Sequence, residues 1–199
     1  MLTEEDIIKG CKQYNKAAQM ALYKKHAGKM NALCYRYVNS YDDAKDIVQE
    51  CFVKIFDSIK NYKGEGSFEG WIRRIIVNAS IDYLKKKKKH IFVSIEHAEY
   101  DPLNTSDHEE KEAYTIENAE FTKEELQDAI NQLPEMYRLI FNMHCIENYS
   151  HKEIAESLAI KEDTSRSRLR RARIALRDYL HDVMKTKMKF DLSNGMNTL

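Results

Sequence analysis

The sequence has few of the residues that punctuate a chain. Among 199 residues there are 6 glycines and 2 prolines. So few turn-formers cannot serve a many-stranded β fold, and the expected class is all-α. A composition of 43% apolar and 32% charged residues excludes a collagen-like, low-complexity or wholly disordered chain. No uninterrupted apolar run approaches the roughly 20 residues of a membrane span. The opening Met1-Leu2-Thr3-Glu4-Glu5-Asp6 is acidic with no apolar stretch behind it, so no secretory signal and no direct membrane insertion are expected. Cys11, Cys34, Cys51 and Cys145 are scattered, with no Cys-x-x-Cys. That fits buried thiols in a reducing cytoplasm. His144 and Cys145 are adjacent rather than at ligand spacing, so no metal site is expected. Nothing in the sequence calls for a cofactor or a small-molecule substrate.

Net charge is absent as well, because 32 basic residues balance 32 acidic ones. The balance conceals segregation. Residues 1–95 carry a net of +7, residues 96–120 a net of −8, and residues 121–199 a net of +1. The middle stretch holds Pro102 and loses apolar periodicity. Acidic runs of that kind are usually solvated linkers. The expectation is two small helical domains, 1–95 and 121–184, joined by an acidic linker over 96–120. A tail from 185 to 199 lacks periodicity and is expected to be disordered.

The first block has three amphipathic stripes. Met30, Leu33, Cys34, Tyr37 and Val38 make one. Ala44, Ile47, Val48, Cys51, Phe52, Ile55, Phe56 and Ile59 make the next, with helical spacing over four turns. Asp43, Asp46, Glu50 and Asp57 fall off that stripe. Asn61 to Ser67 breaks the period with Gly64 and Gly66, as a loop should. A third helix resumes with Phe68, Trp71, Ile72, Ile75, Ile76, Ala79 and Tyr83, all read as core. Arg74, Asn78 and Asp82 stand four apart and so line one polar side. The helix runs into five consecutive lysines, Lys85 to Lys89. One or two cations complement a helix C-terminus. Five repel one another and point to a polyanion partner.

The second block has the pattern of a helix-turn-helix. Leu126, Ile130 and Leu133 share one helical spacing, Leu133-Pro134-Glu135 starts another helix, and Met136, Leu139, Ile140 and Met143 face inward. Ser150-His151-Lys152-Glu153 is a capping box for a short helix with Ile154, Ala155 and Leu158 inward. Ala159-Ile160-Lys161 makes the turn. A final helix over about 162–184 buries Leu169, Ala172, Leu176 and Leu180. Between Thr164 and Arg177 it carries six arginines and no acid. A short helix, a tight turn and an Arg-rich helix match a motif whose second helix enters the major groove. Arg166, Ser167, Arg170 and Arg171, near the helix start, are placed to reach bases. Arg173 and Arg177 are placed for phosphate or acidic neighbours.

Three segments now carry a resemblance. Tyr41 to Phe52 (YDDAKDIVQECF) resembles the second conserved region of bacterial sigma factors. Phe68 to Asn78 (FEGWIRRIIVN) resembles the promoter-melting segment that follows it. Tyr149 to Ala155 together with Thr164 to Arg173 resembles the fourth region. Two domains and a short linker resemble the extracytoplasmic-function (ECF) class of the sigma-70 family. The resemblance implies partners: core RNA polymerase and promoter DNA, with an anti-sigma protein as a common further one. It also implies roles. Asp43, Asp46, Gln49 and Glu50 would bind the clamp helices of the largest polymerase subunit. Asn61, Tyr62, Lys63 and Phe68 would capture a base flipped from the −10 element. Arg74 and Asn78 would hold the strand, and Lys85, Lys86 and Lys87 would track its backbone. Thr164, Arg166, Ser167, Arg168, Arg170 and Arg171 would read the −35 duplex. The acidic linker resembles the segment that threads near the polymerase active site.

Three positions depart from the family pattern: Ala159 and Asp163 stand where glycine is usual, and Ser165 where an aliphatic residue is usual. Two other classes were weighed. A stand-alone helix-turn-helix regulator explains the arginine helix but not the first block. A metal-dependent nuclease would use Asp42, Asp46 and Glu50 on one helix face, yet no histidine lies near them in sequence. The expected protein is not an enzyme.

Overall fold

The structure is a computed structural model that describes residues 3–87 and 120–195, with side chains as far as 187. No strand occurs among the described residues. The chain divides into two compact units.

Among the described residues the first unit has four α-helices and a 3-10 turn at Ile59–Asn61. α1 spans Glu4–Lys12, α2 Lys16–Val38, α3 Tyr41–Ser58 and α4 Phe68–Lys87. Local chemistry sets their ends. Thr3 caps α1 in a capping box with Asp6, Asn15 caps α2, and Ser40 caps α3. Each supplies an acceptor to an N–H that has no partner within its helix. Asn39 ends α2 in the left-handed conformation, which asparagine tolerates. α2 lies at the centre, packed on α1, α3 and α4. Leu22, Met30, Leu33, Ile55, Ile72 and Ile76 are fully buried. At about 25 cal/mol per Å² of apolar area, each such side chain contributes on the order of 2 kcal/mol.

The second unit is also helical. α5 spans Lys123–Gln132 and α6 Glu135–Phe141. A π-helical turn continues α6 over Asn142–Ile146. α7 spans His151–Leu158 and α8 Glu162–Gly195. α8 is the spine, packed on α5, α6 and α7. Ser150 and Glu153 form the expected capping box. Ala159 makes the α7–α8 turn with φ 54°, a left-handed conformation usually left to glycine.

Four expectations need correction. First, the buried stripe of α4 is Phe68, Ile72, Ile76, Val77, Ser80, Ile81 and Leu84, while Trp71, Ile75, Ala79 and Tyr83 are only half-buried. The stripe is rotated because Ser80 can be buried. Its hydroxyl donates to the Ile76 carbonyl (2.8 Å) and lies 3.2 Å from Cys34 Sγ. Second, Phe56 is half-buried, and Leu126 is 40% exposed while Ala129 takes the core position on α5. Third, α8 does not stop at 184 but continues to Gly195. No glycine or proline interrupts it before Gly195, and Lys187 fastens it. The Lys187 ammonium pairs with Glu125 at 2.8 Å and donates to the Glu120 carbonyl at 3.4 Å. Fourth, Cys145 is exposed, unlike the other three thiols. The sequence readings at Lys88, Lys89 and 96–119 lie outside the described residues.

Candidate polymerase and promoter interfaces

On the first unit, α3 turns Asp42, Asp46, Gln49 and Glu50 to solvent. Val53 (61% exposed) and Tyr41 (72% exposed) give the same helix apolar surface. Asp43 does not stand free with them. Its carboxylate accepts from Lys87 Nζ at 2.8 Å, and Lys87 also donates to the Tyr83 hydroxyl at 2.6 Å. The Lys87 hydrogen bond holds the Asp43 carboxyl down to about 2, helped by Tyr83 and Ser40. The same contacts push the Lys87 ammonium upward. One residue expected on the polymerase face is therefore tied to one expected on the DNA face.

The glycine loop leads into an aromatic cluster. Gly64 and Gly66 both have positive φ, 82° and 77°, so the loop needs residues without a Cβ there. The Tyr62 hydroxyl donates to the Gly66 carbonyl across the loop at 3.0 Å. Lys12 Nζ, from α1, donates to the Tyr62 carbonyl at 3.0 Å. The Tyr62 ring lies 5.0 Å from Phe68 and 5.4 Å from Trp71, and Phe68 stacks on Trp71 at 5.6 Å and 24°. Phe68 is 2% exposed. It is the floor of the cluster and offers no free face, contrary to its expected role as a base contact. Tyr62 and Trp71 are the half-open members. Trp71 was read as a core anchor, and its flank is missed by any reading that assigns aromatics to the core. Asn61 and Lys63 are exposed beside the cluster.

Arg74, Asn78 and Asp82 are all exposed, one turn apart along α4, with Lys86 and Lys87 exposed at its end and Lys85 half-buried. Beneath the cluster lies His26, 1% exposed, its ring edge-on to Phe68 at 6.3 Å. Neither ring nitrogen is hydrogen-bonded. Glu69 Oε2 is 3.9 Å from Nδ1. Burial pulls the His26 pKa below the ordinary 6.5, and Glu69 only partly opposes it.

On the second unit, the first turns of α8 carry the arginines unequally. Arg170 and Ser167 are exposed, Thr164 and Arg171 half-buried. Arg166 is exposed but pairs with Glu162 at 2.9 Å and approaches Asp163 at 4.0 Å. Arg168 departs from the expected DNA face. It is half-buried, with Nη1 shielded from water and without a hydrogen-bond partner, and burial lowers its pKa. Arg177 pairs with Asp178 at 3.3 Å, in line with its expected acidic neighbour. Ser165, one of the atypical positions, is fully buried and 2.9 Å from His151 Nδ1.

A helical unit with a basic, aromatic-lined helix, and a second unit with a capped helix-turn-helix, describe a DNA-binding protein of transcription. The comparisons name its kind. The family model of Sigma-70 region 2 matches residues 22–90, and that of Sigma-70 region 4 matches residues 123–176. The chain is 32% identical over 186 residues to the ECF RNA polymerase sigma factor SigW of Bacillus subtilis, covering 89% of this chain and 98% of that protein. It is 34% identical over 159 residues to the ECF RNA polymerase sigma factor SigE of Mycolicibacterium smegmatis. That match covers 80% of this chain and 60% of the longer relative. Among solved structures, the sigma factor RpoE of Bartonella quintana, in complex with the anti-sigma factor NepR, aligns with a TM-score of 0.50 and 17% identity. The alignment covers 81% of this chain and 96% of that one, a likeness of fold.

The chain belongs to the sigma-70 family and to its ECF class. It is an RNA polymerase sigma factor. The stand-alone regulator is not favoured. Among the described residues no three His, Cys, Asp or Glu side chains gather to hold a metal. Nor is any helix there long and apolar enough to cross a membrane.

Proposed function

We propose a division of labour over the chain. Residues 1–95 bind core polymerase and open the −10 element, 96–120 link the units, and 121–184 read the −35 element. The protein acts in the cytoplasm and carries out no chemistry of its own. On α3, Asp46, Gln49 and Glu50 form the polymerase contact, with Val53 and Tyr41 adding apolar area. Asp43 joins them only when Lys87 releases it. Against the half-open outer faces of Tyr62 and Trp71, a base from the −10 element is captured by stacking, worth about 1–3 kcal/mol per base against an unstacking cost of a few kcal/mol. Asn61 and Lys63 flank that base, Arg74 and Asn78 hold its strand, and Lys85 to Lys87 follow the phosphates. On α8, Thr164, Ser167, Arg170 and Arg171 meet the −35 bases. Arg166 joins them when Glu162 lets go, and Arg168 braces the helix from inside. An anti-sigma protein, of the kind bound to the Bartonella relative, is a third partner.

The observation that carries this reading is the alignment on α4. A half-open aromatic pair under a glycine-hinged loop sits at one end of an exposed Arg74–Asn78 file that runs into lysines. The test is run-off transcription with core polymerase on a promoter library. Start sites enriched for paired upstream elements are expected. Glu50→Lys should abolish them with unchanged circular dichroism, because the side chain is exposed. Trp71→Ala should weaken open-complex formation more than closed-complex binding. Unchanged transcription by both variants would reject the assignment.

A further inference from the structure

The helix-turn-helix contains a polar relay for which the sigma role has no assigned use. It begins in the π-helical turn. His144 Nδ1 lies 2.9 Å from the Tyr149 carbonyl oxygen. A carbonyl only accepts, so His144 Nδ1 carries the proton. The His144 ring stacks on His151 at 4.4 Å and 15°. His151, the first residue of α7, puts its Nδ1 2.9 Å from Ser165 Oγ. Ser165 is 0% exposed on the first turns of α8. Three successive contacts thus run from the end of α6 through the start of α7 to the start of α8.

A buried hydroxyl without a partner costs about 1–3 kcal/mol. An aliphatic side chain in its place would pack without any orientation requirement. A hydrogen bond, by contrast, holds distance and angle together. Thr164 precedes Ser165, Ser167 lies two residues on, and Arg170 and Arg171 lie one to two turns on. Any change in how α8 rolls on α7 moves all four.

We propose that His151 is a positioning residue for −35 recognition: its hydrogen bond to buried Ser165 fixes the roll of α8 and so the aim of Thr164, Ser167, Arg170 and Arg171. This rests on the reading of α8 as the −35 helix. The relay works with a neutral His151 whose bare Nδ1 accepts the Ser165 hydroxyl. A proton at Nδ1 reverses the bond, so that His151 donates and the buried serine's own proton loses its acceptor. The groups around His151 resist such a proton. His144 faces it from the π-helical turn, and Arg166 and Arg173 from α8, with only Glu162 of α8 opposing them. Burial acts in the same direction and is the largest cause of the lowered pKa. The neutral, accepting form of His151 is therefore held at neutral pH, and the bond weakens only as pH falls through a pKa that lies below the ordinary 6.5.

The test uses the full chain with core polymerase and a promoter taken from the library selection. Two templates are compared, one with its −35 element intact and one with it scrambled, and the ratio of open complexes is read at pH 7.5 and 5.8. Wild type should show a large ratio that falls at the lower pH. His151→Ala should reduce the ratio roughly fivefold to tenfold at pH 7.5, the equivalent of one hydrogen bond, with complexes on the scrambled template unchanged. His151→Asn places an amide oxygen near the Nδ1 position and does not titrate. It should keep the wild-type ratio within about twofold and hold it at both pH values. Should His151→Ala fail to fold, Ser165→Val fills the same space, lacks the bond and should show the same loss. A wild-type ratio retained by His151→Ala or Ser165→Val overturns the proposal, as does His151→Asn behaving like alanine. If wild type itself ignores the scrambled element, the −35 reading of α8 falls and the proposal falls with it.

Discussion

His26 shows what a buried titratable side chain does to a fold. Its folded pKa is depressed by burial, while in the unfolded chain it takes its ordinary value of 6.5. The unfolded state therefore binds the proton first. The stability this gives is complete above pH 6.5 and is lost as pH falls from there through the folded pKa. Urea unfolding followed by Trp71 fluorescence should show this loss as pH falls below the ordinary 6.5. The probe is selective because Trp71 is the single tryptophan. In His26→Leu the same slope should flatten. Ala159 is the second case. At φ 54° an alanine carries steric strain that glycine avoids, a difference of about 1 kcal/mol. Ala159→Gly should stabilise the second unit by about that amount, measured as a shift in its urea midpoint at unchanged slope. Unusual side chains in this sequence marked unusual structure. Ala159 and Ser165 departed from the family pattern, and they prove to be the left-handed turn and the buried hydroxyl.

At the scale of elements, sequence was most legible where apolar spacing was long and capped. The α3 stripe, the α7 capping box and the α7–α8 turn were all readable. Ser150→Ala should destabilise the second unit by about 1 kcal/mol, because Ser150 Oγ accepts from the Glu153 N–H, with circular dichroism as the check. α1 escaped because it buries only Ile7 and Cys11, too few positions for a period to show. Its Thr3–Asp6 capping box was the available signal. The first half of α2 escaped because lysines, alanines and Gly28 dilute its stripe. On α4 the expected stripe holds at Phe68, Ile72 and Ile76 and misses Val77, Ser80, Ile81 and Leu84, since Trp71 and Ile75 are more apolar than Ser80. Only the hydrogen bonds of Ser80 to Ile76 and Cys34 reverse that ranking. The ties from Lys87 to Asp43 and from Lys12 to Tyr62 join residues 44 and 50 apart. Spacing within one helix does not reveal such pairs.

The whole molecule holds two sets of buried residues, one per unit. Separate cores relax the all-or-none rule for unfolding. Leu22 is 0% exposed in α2, and Leu22→Ala should cost the first unit about 2–5 kcal/mol. The shift should appear in Trp71 fluorescence and leave a second, tryptophan-silent transition in circular dichroism where it was. A single shared midpoint would show the units to be coupled.

The Lys187 clamp has a mechanical consequence. The described part of the second unit begins at Glu120, just ahead of α5, and Lys187 of α8 is tied to Glu120 and Glu125 there. From Lys187 back to Thr164 the helix axis runs about 35 Å at 1.5 Å per residue. A pull applied at Glu120 would therefore load the Lys187 end of a stiff rod. The end that carries Thr164, about six helical turns away, would feel it as a tilt of the whole lever.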